Sequence, residues 1–136
     1  MRKKQIINLL YAIVIAAIGL YFAYSKGWIL ADFESISPQQ AYSLLQHDKN
    51  ITLLDVRTPE EFAEGHIEGA ILIPVQVLTE NLSKLQRAKG GKIIVYCHSG
   101  NRSVAASRIL VQNGFIPFNV KGGISGWKSE GLSVSR

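Results

Sequence analysis

The segment VYCHSGNRS, residues 95–103, holds the single cysteine of the chain, Cys97, with Gly100 three residues on and Arg102 two beyond that. Sulfur attacks as the thiolate, and a thiol of ordinary pKa, about 8.5, is only a few per cent ionised at neutral pH. CHSGNRS offers three ways to favour the anion. Backbone N–H groups can curl round the sulfur as a nest, with Gly100 free to take a positive φ. A helix opening after the loop aims the positive end of its dipole at the same point. Arg102 adds a fixed charge. The competing reading is a small buried hydrophobe that happens to precede a turn. Chemistry also requires a thiol that reagents can reach; one sealed from solvent would leave a scaffold only. A lone cysteine excludes an internal disulfide.

The elements around the loop decide where Cys97 stands. Ser37 followed by Pro38 is an N-cap with proline at the first helical position, opening PQQAYSLLQH. NITLLDV reads as a buried strand. In TPEEF, Thr58 caps, Pro59 takes the first helical position and Glu61 reaches back, a capping box on a short helix that Gly65 ends. AILIP, residues 70–74, is the next strand. Residues 75–87 place Leu78, Leu82 and Leu85 at helical spacing, with Gly90 and Gly91 as the stop. KIIVY is a strand running into the cysteine loop, and RSVAASRILVQNG a helix capped at Gly114. FNV is a brief strand, KGG a turn, and ISGWKSEG a last short helix; GWILADFESIS is a connector. Strands alternating with helices predict a parallel sheet covered on both faces. Ligands in such sheets gather at the carboxyl ends of strands, where Cys97 lies.

The first thirty residues are of another kind. Ile6 to Tyr24 carries no charge, and as a helix its 19 residues span roughly 28 Å, close to a bilayer's hydrocarbon core. Tyr21, Tyr24 and Trp28 suit an interfacial aromatic belt. We read residues 1–31 as a membrane anchor, span about 6–24, with its connector, and residues 32–136 as one domain. Residues 1–31 hold four of the fifteen basic side chains and none of the ten acidic ones, so the domain itself is nearly neutral. The basic cluster is a topology signal, and no nucleic-acid partner is expected. Arg2, Lys3 and Lys4 before the span, against Lys26 after it, predict a cytoplasmic N-terminus and an extracytoplasmic, periplasmic domain. The competitor is a signal peptide cleaved near AYS, residues 23–25, releasing a soluble exported domain, although its apolar core is typically only 7–15 residues.

Four residues separate Cys97 from Arg102, where cysteine-based phosphatases place five; the shorter loop suits one extra sulfur atom better than a phosphoryl group. The chain resembles the rhodanese family of sulfurtransferases from about Ile36 to Leu132. LLDVRTPEEFAEGHIEGAILIP is similar to that family's opening signature, IVYCHSGNRSVAASRIL to its catalytic segment and VKGGISGW to its closing one. The resemblance implies a single α/β domain with a parallel five-stranded sheet and helices on both faces, preceded here by one transmembrane helix. It implies transfer of sulfane sulfur from a donor such as thiosulfate, through a persulfide on Cys97, to a thiol, cyanide or protein acceptor. Loop N–H groups of His98, Ser99, Gly100, Asn101 and Arg102 would hold the persulfide and substrate, and no cofactor is expected. A persulfide carrier or non-catalytic interaction module is the alternative, and a phosphatase or arsenate reductase a further one.

Arg102 is expected to bind the sulfonate or the loop, with a solvated surface charge as the bland reading. Ser103 is expected to cap the helix that follows. His98 is expected to contribute its backbone, with its ring at the pocket rim, although it could protonate a leaving group. His47 and His66 stand apart from it, so no metal is expected; His66 should bond nearby backbone. Asp55 and Arg57 are read as structural support, with Arg57 pairing a carboxylate such as Glu61 to brace the sheet. Trp127 is read as core. The sequon at Asn101 carries little weight, since a glycan there would block the pocket.

Overall fold

Cap chemistry and apolar alternation set the elements, in a computed structural model that describes residues 2–136. The chain forms two units, 1–31 and 32–136. In the first, α1 (Lys3–Ser25) is a single helix of 23 residues with no buried side chain, long and apolar enough to cross a bilayer.

In the second unit, β1 (Glu34–Ile36), β2 (Thr52–Asp55), β3 (Ile71–Leu72), β4 (Lys92–Tyr96) and β5 (Ile116–Val120) form one parallel sheet in the order β1-β5-β4-β2-β3. The helices are α2 (Pro38–His47), α3 (Pro59–Glu64), α4 (Asn101–Gln112) and α5 (Gly123–Ser129). The predicted capping box of Thr58 with Glu61 forms on α3, and the predicted cap Ser37 forms one as well, with Gln40 on α2. Successive β4 side chains go to opposite faces. Ile93, Val95 and then Cys97 join Leu54, Val56, Leu78, Leu85, Ala106 and Leu110 on the α4 side. Ile94 and Tyr96 join Ile36, Leu53, Val120, Ile124 and Trp127 on the α2 and α5 side. Trp127 is core, as expected, and its Nε1 donates to the Ser133 carbonyl.

Several expected elements differ. The connector contains β1, whose three residues pair with β5 through Ser35↔Asn119 and its neighbours, too short a run to show periodicity in sequence. AILIP pairs only at Ile71 and Leu72, and FNV extends back to Ile116. Residues 75–87 are not one α-helix but two 3-10 segments, Val75–Val77 and Thr79–Ala88. Asn81 breaks the second at φ −119°, its side-chain amide donating to the Val77 carbonyl at 2.7 Å, a local bond that competes with helix. Leu78 and Leu85 still reach the core, which is what their spacing signalled.

Arg57 does not pair with Glu61. It turns back on Asp55, two residues away, with Nη2 at 2.7 Å from Oδ2 and Nε at 3.0 Å from Oδ1, both residues buried. Nη2 also donates to the Gly65 carbonyl at 2.7 Å, tying the end of β2 to the end of α3. Tyr96 lies opposite Asp55 in the sheet, under the Arg57 guanidinium, and its hydroxyl accepts from the Ile67 N–H at 3.0 Å. Burial opposes charge on Arg57, but the Asp55 carboxylate outweighs it and raises the guanidinium further above its ordinary value. Asp55→Ala would strand that buried charge, so we expect a loss of about 3–5 kcal/mol. Urea unfolding at pH 7 measures it; a loss below about 1 kcal/mol would mean that the pair is not the brace.

Candidate active site

The chain leaves β4 at Tyr96 and enters α4 at Asn101, so Cys97 to Gly100 form a four-residue turn at the carboxyl end of a central strand. Gly100 sits at φ 113°, a conformation side chains disfavour, and its N–H donates to Cys97 Sγ at 3.0 Å. The loop is closed from outside by α5. The Cys97 carbonyl accepts from the Ile124 N–H at 2.8 Å, and the His98 carbonyl from the Ser125 N–H at 3.1 Å. That approach needs glycine: a Cβ on Gly123 would lie 2.6 Å from the His98 carbonyl oxygen. Read in sequence as a plain turn, KGG is the joint that lets α5 reach the loop; two glycines straight after a strand were the available signal.

Cys97 is 1% exposed, against the expectation of a reachable thiol. The loop folds over the sulfur, and Cys97 packs with Val95, Ala106 and Leu110 on the α4 side. Its other polar neighbour is Ser103, at 3.4 Å. Ser103 is not the helix cap: Gly100 occupies that position, and Ser103, two residues inside α4, points inward with its hydroxyl donating to Asn119 Oδ1 at 2.6 Å. Asn119, a buried amide on β5, was not anticipated, because FNV reads as an ordinary strand. His98 is exposed, its ring Nε2 3.4 Å from the Ser125 hydroxyl, at the rim of a cavity of about 210 Å³ that Arg57, Glu61, Glu64, Ile124 and Lys128 also line. Ser99 on the loop and Asn101, the first residue of α4, are exposed. His66 bonds the Phe62 carbonyl at 3.0 Å, as expected.

Arg102 is neither a free anion-binding fork nor a solvated charge. Its Nη1 and Nη2 grip both carboxylate oxygens of Glu61, at 2.6 and 2.9 Å, with each side chain about 30% exposed. Glu61 thus joins the capped start of α3 to the first turn of α4, a second task beside its capping box. This bidentate pair raises Arg102 above its ordinary value, with the charge of Cys97 as a smaller contribution in the same direction. The guanidinium, helped by Thr58 and opposed by burial, pulls Glu61 from 4.5 to about 2.

A carboxylate whose folded value lies below its unfolded one contributes stability fully above about 4.5 and loses it as pH falls toward about 2. Glu61→Gln keeps a capping acceptor, so we expect a small cost at pH 7, under about 1 kcal/mol for so exposed a pair. We expect a shallower loss of stability across that acid window. Chemical denaturation at a series of pH values measures it, and identical acid limbs in the two proteins would refute the assignment.

Residues 37–130 match the rhodanese-like domain family model. The chain is 33% identical over 104 residues to a sulfurtransferase of Allochromatium vinosum, covering 76% of this chain and 91% of that one. It is 35% identical over 113 residues to a chloroplastic thiosulfate sulfurtransferase of Arabidopsis thaliana, covering 73% and 94%. Among solved structures, a rhodanese-related protein from Thermoplasma volcanium superposes with a TM-score of 0.69 at 38% identity, covering 76% and 98%. The parallel five-stranded fold and its relatives make this chain a member of the rhodanese-like domain family, a sulfurtransferase family.

Proposed function

We propose that the chain is a sulfurtransferase that moves sulfane sulfur from a small anionic donor such as thiosulfate to a thiol or cyanide acceptor through Cys97. The Cys97 thiolate attacks the outer sulfur of the donor. A Cys97–sulfur bond forms, the sulfur–sulfur bond of thiosulfate breaks, and its electron pair leaves with sulfite. The acceptor then takes the terminal sulfur and restores the thiolate. The observation that carries this reading is the Gly100 N–H directed at Sγ, in a loop whose length suits one extra sulfur atom better than a phosphoryl group. An amide donor already in place favours negative charge on sulfur and costs no reorganisation as that charge develops. Arg102 acts here through its charge and as a brace; a donor dianion recruits its fork only in competition with Glu61. His98, Ser99, Gly100 and Asn101 supply the rest of the rim, and Asp55, Arg57 and Ser103 support it.

Burial of Cys97 is the one observation that favours the second reading, a carrier or interaction module without thiosulfate turnover. The enzyme reading requires the loop to open toward the cavity beside His98 so that the donor's sulfur can enter. Mass spectrometry of the full chain after thiosulfate decides between them. We expect one added sulfur on Cys97, released as a reducible persulfide, with sulfite produced in equal amount, and neither in Cys97→Ser. Equal, slow sulfite release by both proteins would sink the enzyme reading. Persulfidation by a donor protein with no response to thiosulfate would establish the carrier.

We further propose that α1 anchors residues 32–136 to the bilayer as a single-pass signal-anchor with its basic N-terminus in the cytoplasm, leaving the domain periplasmic. The flanking charge asymmetry supports this. A reporter active only in the periplasm, fused after Arg136, is expected to give signal from the membrane fraction. Signal from a cytoplasmic reporter reverses the orientation, and signal from a soluble fraction indicates cleavage.

A further inference from the structure

A buried polar chain leads away from the sulfur that the transfer reaction does not use. Cys97 Sγ stands 3.4 Å from Ser103 Oγ, which donates to Asn119 Oδ1 at 2.6 Å, and Asn119 Nδ2 donates to Ser35 Oγ at 3.1 Å. Ser103 and Asn119 are buried, and Ser35, on edge strand β1, is half-buried. Asn119 lies on β5 between β1 and β4, where an amide is disfavoured and burying it is costly unless it is bonded. Its place in the strand therefore calls for a reason.

A hydroxyl has one proton. Ser103 spends its proton on Asn119, so only its lone pairs face the sulfur. That contact is favourable when the sulfur carries a proton to donate and unfavourable when it is an anion. On the other side, the Gly100 N–H favours the anion. Cys97 thus sits between opposed partners, and Asn119 determines which way Ser103 acts. Turning the amide by 180° would leave every group bonded, with Nδ2 donating to Ser103, Ser35 donating to Oδ1, and the Ser103 proton released toward the sulfur. No proton travels along the chain, since an amide neither gains nor loses one here; the thiol proton passes to water or a buffer base.

We propose that Asn119 is a positioning residue that, through Ser103, latches Cys97 in its protonated form at rest, and that turning of the amide and hydroxyl releases it. The proposal rests on Cys97 being the reacting group, yet it concerns protonation and not sulfur transfer. Of the charged groups around the site, Arg102 on α4 interacts with Cys97 and is paired with Glu61 on α3; Asp55 and Arg57 pair at the end of β2, and Arg57, Glu61, His98 and Lys128 line the neighbouring cavity. None of them is altered in the variants below.

The test is the rate of Cys97 alkylation by iodoacetamide across pH 5.5–9, on the full chain in detergent, with no sulfur donor present. Asn119→Leu frees the Ser103 hydroxyl to face the sulfur. The expected result is alkylation roughly three- to tenfold faster near neutrality, the size of one net hydrogen bond, with the profile moved to lower pH. Ser35→Ala, a milder change that loosens the amide, should give a smaller acceleration and serves if Asn119→Leu does not fold. In a Ser103→Ala background, neither substitution should have any effect. Equal rates in folded wild type and variants would overturn the latch. So would the same acceleration with and without Ser103, the signature of general loosening. Because no donor is present, a chain that fails to take sulfur from thiosulfate can still display the latch, and the two readings fail separately.

Discussion

The carbonyls of Cys97 and His98 are held by the first amides of α5, and that closure is the constraint on which the site depends. A turn this short aims the Gly100 N–H at the sulfur while the Cys97 and His98 carbonyls point the other way, and those carbonyls need partners of their own. The segment that does so arrives from β5 through Gly122 and Gly123, both at positive φ, because a side chain at Gly123 would occupy the space of the loop itself. The strand order places β5 beside β4, so the end of one strand delivers the helix that closes the loop at the end of the other.

Around the closed loop, charge is arranged in pairs. Asp55 and Arg57 neutralise each other beneath it, and Glu61 and Arg102 beside it. The first pair is buried and structural, since either partner alone would be a stranded charge. The second is partly exposed and couples α3 to α4, so the positive charge near the sulfur comes with a carboxylate attached. The site is therefore less cationic than the residues CHSGNRS suggest in isolation. The Gly100 N–H carries more of the task of favouring negative charge on sulfur.

Much of this was legible in the chain because it is local. The caps at Ser37 and Thr58, the end of β4 at the cysteine, the core face of Leu78 and Leu85, and an apolar stretch long enough to span a bilayer all follow from neighbouring residues. The readings that failed are those in which a side chain chose between distant partners. Arg57 could reach Glu61 or Asp55, and took the carboxylate already buried beside it. Ser103 matched a helix cap by type, but its direction was set by Asn119, sixteen residues away on β5. Residues 75–87 kept their apolar spacing while Asn81 altered the helix that carried it.

The sequence by itself determined the kind of fold, the strand end at which the lone cysteine stands and the length of its loop, because periodicity, caps and spacing are written within a few residues of one another. Only the tertiary structure decided that the sulfur is covered, that Arg102 is engaged by Glu61, and that a serine and an amide line the inner side of Cys97. Burial, ion-pair choice and hydrogen-bond direction depend on which elements meet in space, and a parallel sheet brings together residues whose separation along the chain carries no local signal.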